Sequence, residues 1–272
     1  MKAMIFAAGL GTRLRPITDT MPKALVPIAG KPLLQHAIEK LAASGYDDIV
    51  VNVHHFPDMI IDWLSGHPVP GVRCSVSDER DRLLETGGAI LHAESLLTDC
   101  GPCGAPDRPF LVHNVDIVSN LDLEWMRGQW RPDAMALLAV SGRNTQRYLL
   151  FDDDLRLAGW TNLATGQVRS PYGDIDPGKY RKLAFSGIQM LSPAVFGTMR
   201  DCGLGERFPI MDFYLKECTE HPVYAALPDS LTVVDVGKID SLPEAEAAAS
   251  NLLGSDGLHL VDIAPGVPEG NA

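Results

Sequence analysis

Residues 9–32 read GLGTRLRPITDTMPKALVPIAGKP, directly after the apolar run KAMIFAA at 2–8. An apolar run stopped by a glycine-rich segment predicts a buried strand that ends in a turn. Gly9 and Gly11 permit tight backbone turns and leave amides free to face an anion. Arg13 and Lys23 can bring cations to a polyphosphate, the arginine as a planar fork and the lysine as a mobile point charge. Thr12 adds a hydroxyl donor. Two better-known phosphate loops fail on spacing. Leu14 stands where GxGxxG needs its third glycine, and Gly30-Lys31 is followed by Pro32 where a P-loop needs Ser or Thr.

Outward from this turn the pattern alternates. Pro32 opens a helical stretch to Ser44, with Leu33, Leu34, Ala37, Ile38 and Leu41 on one side and Gly45 as its stop. IVVNV at 49–53 reads as a strand. A short helix from Pro57 carries Met59, Ile60, Trp63 and Leu64, and residues 72–76 form the next strand. A helix from about Gly88 to Leu97 precedes PFLVHNVD at 109–116, a central strand whose carboxyl end carries Asp116. Strand, helix, strand in repetition predicts an α/β fold, a mostly parallel mixed sheet with helices on both faces. Ligands of such folds sit at the carboxyl ends of the strands.

The second half predicts strands at 135–140, 147–151, 155–160 and 182–191, with a turn-rich stretch at 162–179. They extend the sheet and form a flap over the crevice. Helices at about 193–199 and 209–220, short strands at 223–227 and 232–236, and an Ala/Glu-rich helix at about 241–253 complete the pattern. The expected organisation is one domain over 1–253, with a nucleotide-binding half to about 120 and a flap half beyond it. A frayed tail occupies 254–272.

The 272 residues are 46% hydrophobic and 21% charged, enough to bury a large core and too apolar for a disordered polyelectrolyte. A formal net charge of −12 argues against a general nucleic-acid binder, though a local pocket can oppose the global field. Arg13 and Arg15 interrupt the first apolar run too early for a signal peptide, and no run approaches the roughly 20 residues of a membrane span. The expectation is a cytoplasmic protein with no membrane or nucleic-acid partner. Its oligomeric state, monomer or dimer, is left open. Cys100 and Cys103 form a CxxC without a second ligand pair, which reads as a surface loop rather than a zinc knuckle.

Asp116 ends an apolar strand and Asp235 follows two valines. A carboxylate in such a place is paired, solvated or on a metal. Two of them can converge on one hard divalent cation whose shell phosphate oxygens complete, and an ordinary strand-end turn is the plainer reading of either alone. Adjacent His54 and His55 read as local hydrogen bonders, and Trp160 as packing of the flap against the core.

The stretch 9–32 resembles the signature of the sugar-1-phosphate nucleotidyltransferases. LLETGGAI at 83–90, FLVHNVD at 110–116, AFSGI at 184–188 and VVDVGK at 233–238 resemble further elements of that family in the expected order. Within it the chain is most similar to the compact bacterial N-acetylmuramate-1-phosphate uridylyltransferase-like subgroup. The resemblance implies a Rossmann-like, glycosyltransferase-A-like fold with a β-rich sugar-binding flap. It also implies Mg²⁺-dependent transfer of a nucleoside monophosphate from an NTP, UTP favoured, to a sugar 1-phosphate, with release of pyrophosphate.

Carried over by residue, Ala8, Gly9, Gly11, Thr12 and Arg13 embrace the triphosphate, and Lys23 touches phosphate in the reacting complex. Gly88 and its neighbours line the base pocket. Glu85 there either bonds base or ribose or caps a turn. Asp116 and Asp235 hold the metal. Ser186 and Gly187 border the sugar, and Asn114 either binds its hydroxyls or caps the strand end.

Three departures bear on the sugar: Val115 in place of the common glycine, Lys238 in place of threonine, and Lys179, Arg181 and Lys182 where larger relatives carry a Glu-Lys pair. Mannose- or heptose-1-phosphate guanylyl transfer and choline-phosphate cytidylyl transfer are the alternative reactions. A nucleotide-sensing regulator is the non-enzymatic alternative.

Overall fold

Alternation along the first strand, β1 (Lys2–Phe6), sorts the protein into layers: Ala3 and Ile5 enter one apolar core and Met4 the other. The computed structural model describes residues 1–98, 108–237 and 242–255. The Cys100/Cys103 loop, Lys238 and the tail from 256 lie outside them.

After β1 come the short β2 (Pro27–Ile28) and β3 (Lys31–Pro32), α1 (Leu33–Ala43), β4 (Asp48–Val53), α2 (Pro57–Gly66) and β5 (Arg73–Asp78). Then follow α3 (Glu85–His92), α4 (Glu94–Leu97), β6 (Phe110–Asn114), β7 (Ile117–Ser119), α5 (Leu123–Gly128) and β8 (Ala136–Ser141). Next come β9 (Arg147–Phe151), β10 (Leu157–Asn162), β11 (Gln167–Arg169) and β12 (Arg181–Leu191). The chain closes with α6 (Val195–Asp201), α7 (Ile210–Glu217), β13 (Val223–Ala226), β14 (Val233–Asp235) and α8 (Leu242–Ser255).

The main sheet runs β11-β10-β9-β12-β6-β1-β4-β5, with β8 and β13 branching from β12. β6, β1, β4 and β5 are parallel, so their carboxyl ends share one edge. β12 runs antiparallel to β6 and β8, which brings the carboxyl end of β8 to that same edge. Helices α1, α2 and α8 cover one face, and α3, α4, α6 and α7 the other. The expected α/β architecture is the observed one.

The helix expected from Gly88 begins at Glu85 and breaks at Ala93. Helix α5 was not anticipated, although Asp122 caps it by accepting from the amides of Glu124 (2.8 Å) and Trp125 (3.0 Å). Nor was β11, whose side chains lie exposed or half-buried at the sheet edge.

His113, on β6, is fully buried between β1 and β12. Its Nδ1 donates to the Asn114 carbonyl at 2.8 Å, and its Nε2 has no partner. Burial, then the nearby Lys40 cation, push its pKa down to about 4. Below the ordinary histidine pKa the unfolded chain takes up a proton that the folded chain refuses. Stability from this group is therefore present above pH 6.5 and falls as pH drops toward 4, by roughly 3 kcal/mol. His113→Gln should flatten that part of the curve of urea-unfolding free energy against pH. A wild-type slope that survives the substitution places the dependence elsewhere.

Candidate active site

At the carboxyl edge of β1, β4 and β6 lies an open cavity of about 410 Å³. One wall is the turn after β1. Gly11 there has φ +63°, and a Cβ on it would stand 2.7 Å from Thr18 Cγ2, so glycine is required on two counts. The Gly11 carbonyl accepts from Leu14 N (2.8 Å) and Thr18 Oγ1 (2.9 Å), which fixes the turn. Gly9 differs, since a Cβ there would meet nothing within 4 Å. Among the described residues the amides of Gly9, Leu10 and Gly11 have no acceptor, leaving donors for an anion.

The amides of Ala7 and Ala8 are already engaged. Both donate to Asn52 Oδ1, at 2.7 and 3.3 Å, from the end of β4. Asn52 Nδ2 donates in turn to Glu79 Oε1 at 2.7 Å, and Glu79 Oε2 accepts from Leu84 N at 3.2 Å. These two residues were missed by sequence reasoning, yet both line the cavity. Glu79 is only 3% exposed, and burial raises its carboxyl pKa against the opposing hydrogen bonds from Asn52 and Leu84. The pair ties the turn after β1, β4 and the ETGG segment into one polar network. Asn52→Ala strands two amides and a carboxylate. It should lower unfolding free energy by about 2–4 kcal/mol in urea titrations. A loss under about 0.5 kcal/mol would mean that water replaces the amide without penalty.

Across the cavity Lys23 Nζ donates to Asp116 Oδ2. Lys23 is 8% exposed, and Asp116 occupies the two-residue turn between β6 and β7. Pairing of β14 with β7 sets Asp235 opposite Ile117, and Val236 N donates to the Asp116 carbonyl at 2.9 Å. The two aspartates, 119 positions apart in sequence, thus stand on neighbouring backbone. Asp235 itself is exposed and does not line the cavity, whereas Gly237 does. A Cβ on Gly237 would stand 2.5 Å from Asp235 Oδ1 and 2.9 Å from Arg13 Nη2, so that glycine lets carboxylate and guanidinium flank it closely. Among the described residues no group of three or more His, Cys, Asp or Glu side chains forms a metal cage. Two carboxylates suit a cation that takes its remaining ligands from phosphates and water.

Glu85 lines the cavity, with φ +60° and its carboxylate 3.1 Å from Arg207. A non-glycine residue in left-handed backbone beside a cavity marks local strain. Gly88 does not line the cavity. It packs so tightly on the Glu206 carbonyl that any Cβ would clash, and its amide donates to Phe208 O at 3.2 Å. Asn114 lines the cavity, and the backbone of Gly187 (φ +77°) abuts it, a Cβ there standing 3.0 Å from Asn114 Nδ2. Ser186 is 1% exposed with no partner for its hydroxyl. His54 Nδ1 meets Glu79 O at 2.7 Å and His55 Nε2 meets Thr18 O at 3.1 Å, each a local hydrogen bond. Trp160 is half-buried against the core.

A parallel sheet whose first turn offers free amides, with Arg13, Lys23 and two aspartates on neighbouring backbone at the same edge, is the frame of an enzyme that handles nucleotides. The chain belongs to the nucleotidyl transferase family, whose model matches residues 2–147. It is 34% identical over 254 residues to N-acetylmuramate alpha-1-phosphate uridylyltransferase of Caulobacter vibrioides, covering 91% of this chain and 94% of that one. It is 41% identical over 119 residues to mannose-1-phosphate guanyltransferase of Aspergillus fumigatus, covering 43% of this chain and 31% of that one. In fold it is similar to HddC from Yersinia pseudotuberculosis (TM-score 0.69, 23% identity, 91% of this chain and 98% of that one). A UDP-glucose pyrophosphorylase crystallised with UDP-glucose has the same fold (TM-score 0.69, 19% identity, 92% of this chain and 98% of that one). Among the described residues no helix is long and apolar enough to cross a membrane.

Proposed function

We propose that the protein transfers uridylate from UTP to N-acetylmuramate 1-phosphate in the cytoplasm, where nucleoside triphosphates are held, giving a UDP-sugar and pyrophosphate. The observation that carries the reading is the meeting, in one cavity, of the Gly11 turn, Arg13, Lys23 and Asp116. The uridylyltransferase relative, matched over nearly its whole length, supports the choice of base and sugar.

In this reading the amides of residues 9–11 hold the β- and γ-phosphates, with the Thr12 hydroxyl and the Ala8 backbone alongside. Arg13 faces the departing pyrophosphate. Lys23 exchanges Asp116 for an α-phosphoryl oxygen. Glu85, with the helix that Gly88 seats, borders the base. Asn114, Ser186 and Gly187 border the acceptor. Asp116 and Asp235 hold Mg²⁺, which when bound neutralises phosphate charge. No protein nucleophile is needed, because the acceptor phosphate is itself the attacker, and catalysis is alignment plus charge stabilisation. The nucleotide half is put at about 1–120 and the sugar half at 121–253.

The test is a matrix of four NTPs against sugar 1-phosphates, read by pyrophosphate release. UTP with N-acetylmuramate 1-phosphate should give the highest kcat/KM. A GTP and mannose 1-phosphate optimum would favour the second reading, for which the 41% identity across the N-terminal half speaks. Nucleotide binding without release in any cell of the matrix would favour a sensor.

A further inference from the structure

A second cavity, of about 510 Å³, opens at the carboxyl ends of β8 and β13, on the sheet edge that carries the phosphate turn. Ser141 and Arg143 line it from the end of β8, and Asp229 from the loop after β13. Arg143 is exposed, and its Nη2 donates to the Phe185 carbonyl at 2.9 Å. Among the described residues no carboxylate pairs with this guanidinium. Ser141 is 7% exposed, and its hydroxyl is buried without a partner.

β12 links this cavity to the reaction centre. Its pairing with β8 shifts register between Phe185 and Gln189, a bulge that contains Ser186 and Gly187. Phe185 carries Arg143 on its carbonyl, and Gly187 two residues on abuts Asn114, which shares a wall with Asp116. The carbonyl that holds Arg143 and the glycine that abuts Asn114 are thus two residues apart on one strand, roughly 7 Å of chain, so β12 joins the wall of the second cavity to the wall of the first.

Resting on the transferase reading above, we propose that Arg143 is a specificity-determining residue that binds a carboxylate carried by the acceptor sugar. The lactyl ether of N-acetylmuramate is such a group. A planar guanidinium already oriented by one backbone carbonyl presents its remaining N–H groups as a fork for a carboxylate. Asp229 accepts from ring hydroxyls. An acceptor without the carboxylate leaves the guanidinium fork unmet, which is how a polar pocket rejects an analogue.

The experiment compares N-acetylmuramate 1-phosphate with N-acetylglucosamine 1-phosphate, the same sugar lacking the lactyl ether. Both are assayed with each NTP on the full chain and on Arg143→Ala and Arg143→Lys. In the wild type the carboxylate-bearing sugar should be preferred. Arg143→Ala should cut that preference roughly 10- to 100-fold, mainly through KM, and Arg143→Lys should restore part of it. A preference unchanged in Arg143→Ala, or equal losses on both sugars, overturns the assignment while leaving the transferase reading intact. A wild type that favours the sugar without the carboxylate overturns this assignment and the choice of N-acetylmuramate above, while nucleotidyl transfer itself stands. Absence of pyrophosphate release from every pairing overturns both.

Discussion

Lys23→Ala should lower kcat by about 10³-fold while leaving the protein folded. Lys23 is held on a short 3-10 turn behind the phosphate loop, and its ammonium reaches Asp116 within a nearly closed wall. In the proposed reaction, charge that develops on an α-phosphoryl oxygen meets a cation already held at the cavity wall, which needs only to exchange its carboxylate partner, and water cannot supply an equal one. The fold should tolerate the loss because Asp116 is partly exposed to the cavity and takes water once its partner is gone. A cost of about 1–2 kcal/mol follows, below what a fully enclosed pair would give. Steady-state kinetics and a urea titration on one preparation separate the two effects. If kcat drops less than tenfold, Lys23 is a structural partner of Asp116 and nothing more.

The turn after β1 was legible in the sequence because its signals are local. Gly11, Arg13 and Lys23 lie within 13 consecutive residues, directly after an apolar run that had to be a strand. The same locality made β1, α1 and β4 readable. Asn52 and Glu79 left no such trace. Asn52 is one polar residue in an apolar strand and Glu79 one of five consecutive charged residues from Asp78 to Arg82, and only the parallel pairing of β1, β4 and β5 makes them neighbours. Gly88 is the reverse case. Its segment does border the cavity through Glu85 and Thr86, but the glycine serves close packing on the loop at 206–208, a contact more than a hundred residues away in sequence. Arg143 carries no local signal either: the fold alone brings its guanidinium onto the Phe185 carbonyl, two residues before the glycine that abuts Asn114. Helix α5 could have been found, since Asp122 before LEWMRG is an ordinary N-cap signal.

Asp116→Asn should lower turnover by about 10³-fold and raise the Mg²⁺ concentration needed for half-maximal rate at least tenfold. The amide keeps the shape of the side chain and removes one unit of negative charge from between Lys23 and the neighbouring Asp235 strand. Cation affinity falls with the charge of the ligand set, so the requirement for metal should rise before any change in fold is detectable. Asp235→Asn should follow in the same direction with a smaller shift, because that carboxylate is exposed and shares its surroundings with Arg13. The binding arm makes the prediction specific. With Asp116 neutralised, Lys23 is released and the cavity gains net positive charge, so UTP in the presence of a chelator should bind as tightly as in the wild type or a few-fold tighter. Turnover and metal-free nucleotide affinity then move in opposite directions. A general loss of structure would weaken both, and a carboxylate with no metal role would leave the half-saturating Mg²⁺ concentration where it was.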